Sequence, residues 1–422
     1  MGHGLRPIDA LTSPNNFKKF SANVARRQGL TEFLLVSALS FLLLLLILAR
    51  TRLLTPDNPA YRNPIDHFKY IYMAAHTPLS FHIAPFCWRV AVPLLAHFLP
   101  FGLQLNFLLI DFSSLWFTAI LIYYLGRWYS LSRLYCTFGL LLFLSIGLLT
   151  KGVLSDFWLA DSLALFLTTL AVYLALSARP LPFALVLACG VATREPALLV
   201  GPLFYSLNAR KLIDVSLLKV ATAVLTPAVF TLVMLHLLIP AKNGDANYVR
   251  SLPYRDIMVA NGSTADPDTL HTVLVRFVDH VLNYHVVFLN IQYVVAVTSV
   301  LVTLLAILGA INCREVALRY SPFVLLTFAS MFVFGDVRHL EPMVPVLVIL
   351  ALLGARSLER PLRVPIQDWM ALPVSLILLN LVWLYKDSAS RPAQAVVIVG
   401  YLGIALGARV YRGRPKREAL SV

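Results

Sequence analysis

The first candidate for chemistry is Asp66, a carboxylate in the segment 63–70, NPIDHFKY. One interpretation is structural: Asn63 caps a helix, Pro64 takes its first turn, and Asp66 completes a capping box. The other is chemical. Asp66 is then a general base, which takes a proton from an acceptor hydroxyl within hydrogen-bond reach. Both interpretations fit the spacing and stay open at this point.

Two arginines are of the type that binds phosphate. Arg89, in the segment 85–93 (PFCWRVAVP), either extends from an interfacial helix to lipid headgroups or holds a lipid phosphate with two parallel hydrogen bonds. Arg338, in the segment 336–342 (DVRHLEP), is the best candidate for binding a phosphate leaving group, with His339 beside it. The alternative for this second segment is a solvated loop tip.

A further set of polar residues could bind an acceptor or support the site. Arg194 and Glu195 are adjacent, and adjacent helical residues do not face each other, so each needs a partner elsewhere, structural or catalytic. Asp161 either caps the following helix or joins the site, whereas Asp156 could bind an acceptor or a metal. The supporting candidates are Tyr70, Asp156, Asp161, Arg194, Glu195 and Asp336. The histidines lack metal-binding spacing, so whether a divalent metal takes part is open.

Composition places these residues in a membrane protein. The 422 residues are 59% hydrophobic and 13% charged, against about 25% charged in soluble domains. The sequence predicts an all-α, polytopic transmembrane bundle of about ten to twelve membrane helices, including a broken half-helix pair. The net charge of +14 lies in small groups between apolar runs, which indicates anionic lipid rather than nucleic acid as the partner.

The distribution of Lys and Arg predicts the topology. It puts a basic tail (1–32) and a second one (412–422) in the cytoplasm, on either side of a single transmembrane domain (33–411). The external loops are then 50–102, with an interfacial helix within Ile83 to Phe101, and 240–285, with an amphipathic helix around Leu270 to Val286. All the candidate site residues fall on the external side.

One apolar run carries a charged interruption. The run 181–207 is broken at Arg194-Glu195-Pro196 and is too short for two complete spans. We expect two half-helices that enter and return, with the charged pair at the turn, as is tolerated where broken helices line a protein cavity.

These features, in this order, resemble the GT-C superfamily of integral-membrane glycosyltransferases, in particular its polyprenyl-phosphate-sugar-dependent and mannosyltransferase-like branches. The resemblance runs from Phe33 to Arg356 and rests on four pieces. They are Asp66 in a large first external loop, Pro-Phe-x-x-Arg at 85–89, Arg-Glu-Pro at 194–196, and Arg-His-x-x-Pro-x-x-Pro at 338–345.

The resemblance implies a polyprenyl-phosphate sugar as donor, a lipid or glycan acceptor, and inverting transfer outside the cytoplasm. The compact loops favour a bacterial inner membrane over the alternative, the endoplasmic reticulum. The resemblance also implies that Asp66 is the general base and that Arg338, with Arg89, binds the donor phosphate. Many relatives place two acidic residues together in the first loop, whereas here His67 follows Asp66. This departure argues against a metal at that position and leaves a single-carboxylate mechanism intact.

Other classes of membrane protein compete with this interpretation. A secondary transporter also uses broken helices and intramembrane charges, but it predicts an internal repeat and midplane sites, and no repeat is visible. A flippase or polymerase of lipid-linked glycans would also bind polyprenyl phosphates. A non-catalytic scaffold is the last alternative, since a fold does not dictate a function.

Overall fold

The computed structural model describes residues 28–58, 61, 66–211, 213–253, 270–334, 337–362, 365–382 and 391–412. Within these ranges the chain is all-helical and has no strand, which confirms the predicted class. The α-helices are α1 Gln28–Ala49, α2 His67–Ala75, α3 Ala91–Phe98, α4 Leu103–Trp128, α5 Arg133–Leu144, α6 Asp161–Leu176, α7 Pro180–Thr193, α8 Pro202–Asn208, α9 Val215–Leu238, α10 Ala246–Ser251, α11 Leu270–Leu282, α12 Tyr284–Thr298, α13 Val300–Asn312, α14 Arg314–Phe334, α15 Val344–Leu362, α16 Ile366–Trp369, α17 Ala371–Val382 and α18 Arg391–Arg412. Short 3₁₀ segments at Phe86–Trp88, Glu195–Val200 and Val337–Met343 interrupt them.

Several of these helices are built to cross a bilayer. Among the described residues, five are long and apolar enough, and the number rises to seven if each of two bent pairs is one span. The first bent pair joins α5, through a π-helical turn, to residues as far as Ser155 at 57°, and the second joins α11 to α12 at 91°. Five further apolar helices among the described residues have 10–17 residues, which is shorter than the roughly 20 residues that a complete span needs. The chain thus has the helices of a multi-pass membrane protein, since helices satisfy their own backbone hydrogen bonds in lipid.

The run predicted to be a half-helix pair consists of two short helices joined by a turn. Helix α7 ends at Thr193, and the chain turns through Glu195–Val200 into α8. Arg194, at the turn, pairs with Asp161 at the start of α6, whereas Asn208, at the end of α8, donates a hydrogen bond to the carbonyl of Ala175 near the end of α6. The two halves therefore run in opposite directions beside one helix.

The helix ends collect into two polar layers. At what we call the inner end, Glu32 of α1 pairs with Arg127 of α4 and Arg133 of α5 at 3.1 and 2.8 Å, and Tyr135 donates to Glu359 of α15. At the outer end lie Asp66, Asp161, Arg194 and Arg338. These four candidate residues are thus on the opposite side of the apolar core from Arg127 and Arg133.

A separate apolar cluster supports the outer end. It gathers α2, the 81–92 segment, the start of α4 and the turn at 157–160 around buried aromatic side chains, including Phe81, Phe107 and Trp158. The predicted interfacial segment, Ile83 to Phe101, contains α3 and one 3₁₀ turn rather than one continuous helix. Leu95, Phe98 and Phe101 on this segment are exposed, as expected for a helix at an apolar interface.

The predicted amphipathic helix is α11, which stops at Leu282 before the sharp bend into α12. Its polar side faces the end of α14: Arg276 donates to the carbonyl of Val333, and His280 contacts the carbonyl of Phe332 at 2.6 Å. Leu274, Val278 and Leu282 are exposed. Helix α11 therefore satisfies carbonyls in the last turn of α14, which would otherwise lack intrahelical partners.

The sequence is apolar over residues 286–310, but this stretch is not one helix. It breaks between α12 and α13 at Ser299, which has φ 71°. After this break, α13 packs very closely against α15: a Cβ on Gly309 would lie 1.8 Å from the Leu350 carbonyl oxygen, and one on Gly354 would lie 2.0 Å from that of Leu305. Small residues of this kind allow close backbone approach between membrane helices.

We expect Gly309→Ala to destabilise the protein by about 1 to 3 kcal/mol, because the added methyl group must push α13 away from α15. Thermal unfolding of purified protein in detergent measures this change. Gly400→Ala in α18 is the matched control, since a Cβ there meets nothing within 4 Å. A Gly309→Ala variant that melts at the wild-type temperature would contradict the glycine-dependent contact.

Candidate functional site

Asp66 lies at the start of α2, but its side chain does not cap that helix. Its Oδ1 accepts from Lys69 Nζ at 3.0 Å, and its Oδ2 accepts from the Arg338 guanidinium at 2.9 Å. The carboxylate of Asp66 is thus paired with two cations, and the predicted capping box with Asn63 stays a prediction. Asn63 and Pro64 lie outside the described residues.

Arg338 lies on the 3₁₀ segment Val337–Met343, between α14 and α15. One guanidinium nitrogen binds Asp66, and another lies 3.9 Å from the carboxylate of Asp161. Its neighbours His339 and Glu341 are 6% and 5% exposed. The segment is therefore a buried part of the site, and the alternative of a solvated loop tip is wrong.

Arg194 lies where the half-helix pair turns, and its side chain is only 5% exposed. It forms a short ion pair with Asp161 and lies 3.7 Å from Glu341. This confirms that Arg194 and Glu195 have separate partners. Asp161, at the first position of α6, uses its carboxylate for these arginines, so its predicted role as a helix cap is wrong.

The second ion pair at the outer end joins Arg89 to Glu195. Arg89 Nε donates to Glu195 at 3.1 Å, and the Arg89 side chain is 9% exposed. Lys69 Nζ lies 3.9 Å from the centre of the Phe86 ring, whose other neighbour is the Arg89 guanidinium at 5.2 Å. Arg89 is thus buried and paired, so it does not extend outward in the way predicted for headgroup contact.

Charges of opposite sign alternate through this region. Four cations and four carboxylates take part, in the series Lys69, Asp66, Arg338, Asp161, Arg194, Glu341 and in the pair Arg89, Glu195. The formal charges cancel, as buried charges require. A small pocket lies between α6 and the 3₁₀ segments Glu195–Val200 and Val337–Met343. Asp161, Thr168, Arg194 and Arg338 are in its wall. An anion that enters here must compete with carboxylates for the arginines.

The electrostatic surroundings decide the protonation states. Burial alone would raise the pKa of Asp66, but the charges of Lys69 and Arg338 outweigh it and hold this pKa below its ordinary value. Burial lowers the pKa of Lys69, against the opposing effect of Asp66. Burial also lowers the pKa of His67, which packs between Tyr61 and Phe68, to about 4. Next to the ionised Asp66 there is therefore a neutral imidazole at pH 7.

The other predicted site residues are Tyr70, Asp156 and Asp336, and they do not all lie in the same place. Tyr70 is buried against Phe86 and interacts with Arg89. Asp156 follows a short turn after the π-helical segment and acts electrostatically on Asp111. Asp336 lies outside the described residues. Within those residues, no three His, Cys, Asp or Glu side chains come together as a metal site would require.

Three residues of this region were not among the site residues predicted from the sequence. Lys69 and Glu341 each stand three positions after a predicted site residue, Asp66 and Arg338, and that spacing on one helical face was the available signal. The third is Asp111, a carboxylate inside the apolar run 103–125. Ionisable groups inside a span are a warning of function by themselves.

We expect Arg194→Met to lower stability by about 3 to 5 kcal/mol, because it removes the cation that lies beside two buried carboxylates, Asp161 and Glu341. Thermal unfolding in detergent tests this, and adding Asp161→Asn should recover part of the loss. The control is Arg133→Ala, which removes an arginine with a 58% exposed side chain and should cost no more than about 1 kcal/mol. Equal losses in both single variants would show that the Arg194 pair is not a buried ion pair.

The likeness of the chain to known proteins was tested in three ways. No family model matches it, and neither a curated protein nor a solved structure does.

Proposed function

We propose that the chain is an integral-membrane glycosyltransferase that moves a sugar from a polyprenyl-phosphate donor to a hydroxyl acceptor. The observation that carries the proposal is the sharing of Arg338 between Asp66 and Asp161 at one end of an apolar bundle. Such a site offers a carboxylate for proton transfer and a cation for a phosphate leaving group. A donor anchored in the bilayer also needs no separate nucleotide-binding domain.

Arg338 is the cation that an incoming phosphate can take over. Its side chain is 29% exposed, whereas those of Lys69, Arg89 and Arg194 are 1%, 9% and 5% exposed. A guanidinium also binds phosphate with two parallel hydrogen bonds. In the proposed reaction the lipid phosphate draws Arg338 away from Asp66 and is stabilised by it as negative charge develops on the leaving oxygen.

The same exchange activates Asp66. While Arg338 is bound, Asp66 is a weak base because two cations stabilise its ionised form. Removing one of them raises its proton affinity and leaves Oδ2 open to an acceptor hydroxyl. Lys69 continues to hold Oδ1 and keeps the carboxylate oriented. The acceptor oxygen then attacks the anomeric carbon as its proton passes to Asp66, and the carbon inverts as the phosphate leaves.

The surroundings of the site fit a lipid-linked donor. The exposed apolar residues of the 83–101 segment and the half-helix pair, among them Leu95, Phe98, Leu181 and Leu185, offer a surface for an isoprenoid chain. Arg89, Glu195, Tyr70 and His339 support the donor or acceptor. The proposal keeps a GT-C-like arrangement of about ten to twelve membrane segments, both termini in the cytoplasm of a bacterium and the site on the external face.

We expect Asp66→Asn to reduce transfer about 10²- to 10⁴-fold, because the amide keeps the shape of the side chain but cannot take the proton. A strain that lacks the gene is complemented with each variant, and its lipid-linked sugars and envelope glycans are compared by mass spectrometry. The donor should accumulate and one glycan residue should be missing. Asp57→Asn, at an exposed carboxylate of the same loop, is the control and should complement fully.

Three outcomes would overturn this proposal. Full complementation by Asp66→Asn would remove Asp66 from the mechanism. A null strain with an unchanged set of glycans would remove the transferase activity itself and favour the transporter. Accumulation of a completed lipid-linked glycan on the cytoplasmic face would instead indicate a flippase.

A pH profile tests the role of Lys69. Because the charge of Lys69 lowers the pKa of Asp66, Lys69→Met should raise that pKa, and the acid limb of the kcat/KM profile should move upward by about 1 to 2 pH units. Lys69→Arg should leave the limb near its wild-type position. Lys219→Met, at an exposed lysine on α9, controls for the loss of charge alone. An unmoved acid limb in a folded Lys69→Met variant would exclude this role.

A further inference from the structure

Asp111 is a buried carboxylic acid that the proposed reaction does not use. It lies on α4, eight positions after Leu103, about 12 Å along the helix axis. Its side chain is buried at 1% exposure, and neither carboxyl oxygen makes a hydrogen bond within the described residues. The adjacent hydroxyl of Ser162 on α6 is equally buried and also lacks a hydrogen-bond partner there.

The environment of Asp111 differs from that of the other carboxylates at this end. Asp66, Asp161, Glu195 and Glu341 each lie beside a cation. The charged groups that act on Asp111 are Asp156, from the turn before α6, and Asp161, from α6 itself, and both are acidic. An isolated carboxylate in an apolar interior is far too costly to persist, so the group is neutralised instead. Two like charges nearby add to that cost.

We propose that Asp111 is a proton-binding site, which holds a neutral carboxylic acid at pH 7 and donates its proton toward Ser162. A bound proton removes the negative charge of the carboxylate and supplies an O–H donor. Rotation of the Ser162 hydroxyl then completes the hydrogen bond. The site is coupled to the outer network, because Ser162 directly follows Asp161, the carboxylate that Arg194 and Arg338 share. The proposal does not depend on glycosyl transfer.

Infrared spectroscopy tests the protonation state directly. Purified wild-type protein and Asp111→Asn are compared in lipid vesicles at pH 7, in N-methylglucamine chloride. The difference spectrum should contain the C=O stretching band of one protonated carboxylic acid, lost in the variant and shifted downward in heavy water. Asp57→Asn, which removes an exposed carboxylate, should leave the band in place. Absence of the band overturns the proposal.

Three further measurements separate the proton from its alternatives. If sodium chloride abolishes the band and N-methylglucamine chloride does not, the site binds a metal cation and the proton assignment is wrong. Asp111→Asn should melt near the wild-type temperature, whereas Asp161→Asn should melt well below it, because only the latter removes a carboxylate that pairs with Arg194 and Arg338. Equal losses would mean that Asp111 is charged and paired.

In an Arg338→Gln background the band should shift in frequency, and an unmoved band would overturn the coupling.

Discussion

The cost of placing a charge in apolar surroundings is the constraint on which the rest of the outer end depends. Four cations are tolerated there because each lies against a carboxylate. These pairs also set the geometry, since Asp161 begins α6, Arg194 marks the turn of the half-helix pair, and Glu341 precedes α15. Three elements that are distant in sequence are thereby held at one point. Removing a partner would leave its buried counterpart with one opposite charge fewer beside it.

Much of the architecture could be predicted from the sequence, because apolar runs in a bilayer have few choices. The ends of α1 and α4, and the turn at Arg194, follow from run length and from Pro196. The break at Ser299 could not be predicted in the same way. Its run contains neither proline nor a charged residue at that point, and the bend depends on how α12 and α13 pack against their neighbours.

The sequence predicts which residues belong to the site better than it predicts which of them pair with one another. The types of Asp66, Arg338, Asp161 and Arg194 identified them, but no local pattern shows that Asp66 pairs with a residue 272 positions away. The helix-cap interpretation of Asp161 failed for the same reason. A local rule considers only the neighbouring backbone, whereas Arg194 and Arg338, delivered by the tertiary fold, offer a carboxylate far more than two amide groups do.

The glycine contact between α13 and α15 limits how the site can move. With Gly309 and Gly354 almost touching the opposite backbones, α15 has little freedom to slide or tilt. The segment that carries Arg338 leads directly into this fixed helix, so the backbone of Arg338 has little freedom to move. Exchange of Arg338 between one oxygen and another is then a matter of side-chain torsions. Such rotations take picoseconds to nanoseconds, whereas rearrangement of helices takes microseconds or longer, so the partner exchange sets no slow step for the site.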